Sequence, residues 1–204
     1  SSAYKSFLDD TLWTGSYVTV GIIYETLGSK LIWQIFNKET IGLMRFLDLI
    51  YILITKLLLI LFFFEITKLI NLNLKQKLFF FLIATISSFY LIDYNLYSAD
   101  NIHFREIPIL LTLIIIFKSF YTSSFFLNFF LGFLSLFVFL WSIDRGLVYI
   151  ILLIFYLFFL FLNKRNNDIL IILISALFFW ISFYFYNSNE FFAFIENTVS
   201  VFKE

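Results

Sequence analysis

The chain has 204 residues, of which 62% are hydrophobic and 14% are charged, and its formal net charge is zero. Its mean hydropathy of +0.95 leaves too little polar material to cover a soluble domain of this size, which excludes a soluble globular protein. The balanced charge and the lack of a basic patch exclude a nucleic-acid-binding protein. The absence of cysteine excludes disulfide, iron–sulfur and thiol chemistry.

The apolar runs are continuous and do not alternate with a period of two residues, which favours membrane-spanning helices over a β-barrel. We predict an all-α, polytopic transmembrane helical bundle of about six membrane segments with additional interfacial amphipathic helices. Three regions are expected: an extracytoplasmic loop with interfacial helices at 1–45, the bundle at 46–186, and a polar extracytoplasmic tail at 187–204. The 32 phenylalanines are interpreted as lipid-facing bulk rather than an aromatic ligand site.

Charged residues interrupt every candidate span in residues 1–45. Apolar residues within 22–36 recur at helical spacings, which indicates an amphipathic helix lying in the membrane interface. The first membrane segment is predicted at about Phe46–Leu69. Within it, Lys56 is predicted to face other helices, and Glu65 to extend its carboxylate to the membrane surface.

Five further segments complete the predicted bundle, at about Leu78–Ile92, Ile107–Phe117, Phe125–Trp141, Leu147–Leu162 and Ile169–Tyr186. The Ile107–Phe117 segment is short, so it either crosses with Lys118 reaching the surface or forms a half-span inside the bundle. Pro108 suits the first turn of this helix, where its missing N–H costs little. The tail is predicted to contain one or two amphipathic turns.

The short loops predict the orientation of the bundle. The short loops after the first, third and fifth segments share a side if every segment crosses, and we assign that side to the cytoplasm because of their basic residues Lys68, Lys75, Lys77, Lys118, Lys164 and Arg165. The opposite side then receives residues 1–45, 93–106, 142–146 and 187–204, with most of the fourteen carboxylates. We expect any functional site on this extracytoplasmic side.

The acidic pair Asp9-Asp10 suits a general base or a metal-binding carboxylate, and it equally suits a solvated surface loop. His103 is the single histidine, so it cannot build a histidine metal site alone, and we predict a hydrogen-bonding loop residue. Glu106 is predicted to act at the N-terminus of the helix that contains Pro108. No metal site, phosphate-binding loop, dinucleotide turn or nucleophile elbow is recognised.

Asp144 and Arg145 lie between two apolar runs, at the hydrocarbon boundary. They suit a tight solvated turn, but charge at this depth is also often retained for a substrate. The planar guanidinium of Arg105 or Arg145 suits the binding of a phosphate group.

Together these stretches resemble a known family. The pair Asp9-Asp10, the interfacial stretch YETLGSKLIW at 24–33 and the span entrance IGLMRFLD at 41–48 resemble the first loop and following helix of GT-C-type polytopic membrane glycosyltransferases. FREIPILL at 104–111 and WSIDRGL at 141–147 are similar to that family's pattern of an arginine before a short helix and an acidic turn between two helices.

The resemblance implies an enzyme that moves a sugar from a polyprenyl-phosphate carrier to an acceptor, on the outer face of the inner (plasma) membrane of a bacterial cell. It implies Asp9 or Asp10 as the catalytic carboxylate, and substrate-binding roles for His103 and Asp144. Arg105 and Arg145 would contact the donor phosphate. A divalent-cation requirement is left open. The family's first transmembrane helix would precede Ser1, so we expect a fragment of such an enzyme.

Two alternatives stay open. A transporter or flippase for a lipid-linked glycan would depend on the intramembrane Lys56 and on the Pro108 half-span. A structural membrane subunit without catalysis would use the charges at 144 and 145 only for insertion or stability.

Overall fold

The computed structural model describes residues 22–23, 27–70, 72–91 and 105–201. Its helices are α1 Gly28–Phe36, α2 Ile41–Leu69, α3 Leu74–Leu91, α4 Ile107–Ser119, α5 Phe125–Trp141, α6 Ile143–Leu162, α7 Asn166–Tyr186 and α8 Ser188–Val201. No strand occurs among these described residues, so the all-α prediction is confirmed.

Three of the helices are long and apolar enough to cross a membrane: α2 with 29 residues, α6 with 20 and α7 with 21. The chain is therefore a helical membrane protein. Helices α4 and α5 are apolar but shorter, with 13 and 17 residues. At 1.5 Å per residue α4 is only about 20 Å long, against a hydrocarbon core of roughly 30 Å. The number of about six membrane segments stays a prediction.

Helix α5 lies at the centre of the bundle and packs against α4, α6 and α7. Its side chains Leu131, Leu134 and Val138 are completely buried. The approach of α7 is close because position 132 is glycine: a Cβ atom there would lie 2.7 Å from the backbone N of Ala176. The core of the protein is therefore built around α5.

Consecutive long helices run in opposite directions, which groups their ends into two sets. The starts of α2, α4 and α6 lie with the ends of α5 and α7, as shown by the Tyr51–Trp141 ring contact at 5.6 Å. We call this the Asp144 end. The other termini form the Asp168 end, where the Phe120 and Phe159 rings lie 4.7 Å apart. This grouping agrees with the predicted distribution of loops, and which end is cytoplasmic stays a prediction.

Helices α1 and α8 lie at the Asp144 end. One face of α1, including Ile32 and Trp33, is buried against α2, so the predicted amphipathic helix is present over its described part. Helix α8 has 14 residues and is longer than the one or two turns expected in the tail. Phe194 accounts for the difference, because it is only 2% exposed and packs against Trp180 and Phe183.

Two further details differ from the sequence prediction. Glu65 does not reach the membrane surface: it is buried, and its Oε1 accepts a hydrogen bond from Lys68 Nζ at 2.8 Å. Lys68, one turn away, compensates the charge of this buried carboxylate through Oε1, while Oε2 has no hydrogen-bond partner among the described residues. Helix α6 begins at Ile143 rather than Leu147, so Asp144 and Arg145 belong to its first turn. Lys56 is buried, as predicted.

Candidate functional site: an ionic cluster at the Asp144 end

The link between α5 and α6 consists of one residue. Ser142 has extended backbone angles, with φ −161° and ψ 122°, and α6 follows at once. The Ser142 side chain is buried, and its hydroxyl donates a hydrogen bond to Asp144 Oδ1. This contact holds the Asp144 carboxylate in the first turn of α6, where the helix dipole favours negative charge.

The start of α4 supplies the other half of the cluster. Pro108 lies in the first turn of α4, as the sequence predicts. Glu106 precedes the helix with helical backbone angles, but its side chain makes no capping hydrogen bond. Its Oε1 pairs instead with Arg145 Nη2. Glu106 therefore lies at the helix N-terminus as predicted, but its carboxylate binds a guanidinium on the neighbouring helix instead of capping α4.

The four charged residues form a chain that joins α4 to α6. Arg145 contacts Glu106 on one side and, through Nη1, Asp144 Oδ2 at 3.3 Å on the other. Arg105 Nη1 lies 3.9 Å from the same Asp144 oxygen. The side chains are between 22% and 48% exposed, so solvent screens each pair, and each is worth at most about 1 kcal/mol.

The two arginines differ in how firmly they are held. Arg145 is held between two carboxylates, whereas the 3.9 Å contact of Arg105 is too long for a hydrogen bond. The Nε atoms of both arginines are buried and have no hydrogen-bond partner among the described residues. A buried donor without an acceptor is costly, so an incoming anion at this position would gain hydrogen bonds. By distance to the nearest described carboxylate, Arg105 is the less tightly paired of the two arginines.

The structure brings together three of the residues predicted from the sequence, Arg105, Asp144 and Arg145. Asp9, Asp10 and His103 lie outside the described residues. Within the described part of the chain, no group of three or more histidine, aspartate or glutamate side chains is arranged to hold a metal ion. The chemistry available at this cluster is therefore anion binding by arginine beside two partly exposed carboxylates.

A second polar cluster, at the Asp168 end, was missed by the sequence analysis. Asp168 accepts hydrogen bonds from Asn128 Nδ2 at 2.7 Å, Arg165 Nε at 2.6 Å and the Ser123 hydroxyl at 3.2 Å. Arg165 Nη1 also donates to the backbone oxygen of Ser119 at 2.8 Å. These contacts tie together α4, α5 and α7. The available signal was Asn128 within an apolar run, since polar residues in such runs usually have a partner.

Comparison of the chain with protein-family models, curated proteins and solved structures finds no match. The GT-C resemblance therefore stays a prediction.

Proposed function

We propose that the chain is part of a GT-C-type membrane glycosyltransferase, which moves a sugar from a lipid-phosphate carrier to an acceptor on the extracytoplasmic face. The observation that carries the proposal is the convergence of Arg105 and Arg145 at the starts of two neighbouring helices. Guanidinium groups are strong ligands for phosphate, and helix N-termini add partial positive charge.

The two arginines have different roles in this proposal. Arg105 contacts the donor phosphate, because its pairing with Asp144 at 3.9 Å is longer than the contacts that hold Arg145. Arg145 is a positioning residue that holds the start of α6 against Glu106. The cluster has two positive and two negative side chains, so it binds phosphate by local hydrogen bonds rather than by long-range attraction.

In the proposed reaction, the donor phosphate lies against Arg105. A carboxylate, Asp9 or Asp10, takes the proton of the acceptor hydroxyl while its oxygen attacks the anomeric carbon of the sugar. The bond from that carbon to the phosphate oxygen breaks, and its electron pair leaves with the phosphate. Arg105 stabilises the charge that develops on the leaving phosphate.

The proposal is tested by measuring the affinity of the full chain, in detergent micelles, for a short-chain polyprenyl phosphate. Losing a charge-assisted hydrogen bond weakens binding by about 10- to 100-fold, which is the effect we expect for Arg105→Gln. The matched control is Arg45→Gln, an arginine near the start of α2 whose side chain is 49% exposed and lies 3.6 Å from Asp48. Equal affinities of the two variants would contradict the phosphate-binding role of Arg105.

The second candidate is a transporter or flippase for a lipid-linked glycan. Lys56 supports it, because this lysine is only 4% exposed within the candidate span α2. The short helix α4, which packs between α2, α5 and α6, also supports it. In reconstituted vesicles, Lys56→Leu would then abolish glycan transport while Asp9→Asn and Asp10→Asn would retain it. A structural subunit would show neither transport nor transfer.

A further inference from the structure

A groove of about 420 Å³ lies among α5, α6, α7 and α8, near the Asp144 end. It is lined mainly by rings and aliphatic side chains, including those of Phe139, Leu153, Trp180 and Phe194. Two of the helices that form it, α6 and α7, are candidate membrane spans. Candidate membrane spans therefore form two walls of the groove.

Apart from the Thr198 hydroxyl, the polar side-chain atoms of the groove walls are paired within the protein. Trp180 Nε1 donates a hydrogen bond to Ser135 Oγ at 3.1 Å, and Tyr149 Oη donates to the backbone oxygen of Leu131. An internal water needs two to four polar partners, which these walls do not offer. A hydrocarbon occupant suits them better than water does.

The volume of the groove favours a single hydrocarbon chain over a helix of a partner protein. A helix about 10 Å across fills roughly 400 Å³ in one turn of 5.4 Å, so the groove would accept only one turn of a partner helix. Ile150 and Ile195 line the groove and are each 40% exposed. The groove is thus continuous with the lipid-facing surface of α6, where Ile154 is 59% exposed.

One polar atom of the groove lacks a partner. The Oγ1 atom of Thr198, on α8, is buried and makes no hydrogen bond within the described part of the chain. We infer that the groove binds one acyl chain of a bilayer phospholipid, and that the Thr198 hydroxyl donates a hydrogen bond to an ester or phosphate oxygen of that lipid. This site is separate from the arginine cluster and does not depend on the proposed sugar transfer.

Fluorescence of Trp180 reports on the groove directly, because bromine atoms on lipid chains quench tryptophan at contact. The full chain is reconstituted into vesicles of phosphatidylcholine brominated on its acyl chains. Trp180 is made the single reporter by three replacements: Trp13→Phe, Trp33→Phe and Trp141→Phe. Far-UV circular dichroism checks that each variant keeps its helical content.

We expect strong quenching of Trp180, and its loss when Ile150→Phe or Leu153→Phe fills the groove. The matched control Ile154→Phe, on the outer face of α6, leaves quenching unchanged. Thr198→Val lowers the relative affinity for the brominated lipid by about 2- to 10-fold, as expected for one lost hydrogen bond. Equal quenching in all variants indicates bulk lipid contact only and overturns the inference. Absence of quenching in the parent also overturns it, because the groove is then closed to lipid.

Discussion

Replacing Gly132 by alanine tests the central packing of the bundle. The new Cβ atom would lie 2.7 Å from the backbone N of Ala176 and from the backbone O of Ile172. Ordinary contact begins at 3.4 Å, so α5 and α7 would have to separate by about 0.7 Å (3.4 − 2.7). Overpacking of this kind costs about 1–3 kcal/mol, and the backbone atoms that are struck cannot rotate away.

Gly42 provides the matched control. Among the described residues, a Cβ atom at Gly42 would have only Thr40 Oγ1 within 4.0 Å, so Gly42→Ala adds a methyl group without a close contact there. Both replacements gain helix propensity of up to about 1 kcal/mol, which largely cancels when the variants are compared. We therefore expect Gly132→Ala to be less stable than Gly42→Ala by about 1–3 kcal/mol.

The free energy of unfolding is measured in mixed micelles by titration with a denaturing detergent, following helicity by circular dichroism. Ser175→Ala removes the side-chain oxygen nearest to the new Cβ atom but leaves the backbone contacts of Gly132→Ala in place. Added to the Gly132→Ala variant, Ser175→Ala should therefore restore only part of the stability that Gly132→Ala loses. Equal stability of the two glycine variants would refute the close packing of α5 on α7.

Two other predictions concern the ends of the bundle. Asp168→Asn leaves Arg165 without its charged partner, whose carboxylate is 11% exposed, and we expect a loss of about 3–5 kcal/mol in the same titration. Replacing the exposed Glu196 by glutamine is the control. An equal loss of stability in both variants would contradict a stabilising role of the polar cluster around Asp168. Single cysteines at exposed Thr122 and Ser188 should react with a membrane-impermeant maleimide from opposite sides. Labelling of both from one side would contradict the assignment of the two ends.

The helices of the bundle could be predicted because long apolar runs leave few alternatives inside a membrane. Helices were found at all six predicted segments, and the central segment Phe125–Trp141 has the predicted bounds. Helix α6 starts four residues before the predicted membrane segment, because Asp144 and Arg145 were placed in the loop between two segments. Both charged residues fit the first turn of α6, because the helix dipole favours the Asp144 carboxylate there and Arg145 is paired with Glu106.

The candidate site could be predicted only in part. Alternation of the helices was enough to put Arg105 and Arg145 at one end, but not to show that Arg145 pairs with Glu106. The Asp168 cluster was missed for the same reason, since Asn128 and Asp168 are forty residues apart and meet only because α5 packs on α7. Hydropathy is enough to predict where the helices lie in the sequence. Side-chain pairs between helices depend on which helix faces pack together, and hydropathy does not contain that information.

Sugar transfer by the full-length protein tests the proposed function most directly. The protein is reconstituted into vesicles with a polyprenyl-phosphate-linked sugar donor, and the release of polyprenyl phosphate is measured. We expect the parent protein to release polyprenyl phosphate from the donor. This release should be lost in Asp9→Asn or in Asp10→Asn, strongly reduced in Arg105→Gln and retained in Arg45→Gln. Full activity in both aspartate variants and in their double variant, or equal activity of the two arginine variants, would contradict the proposed function.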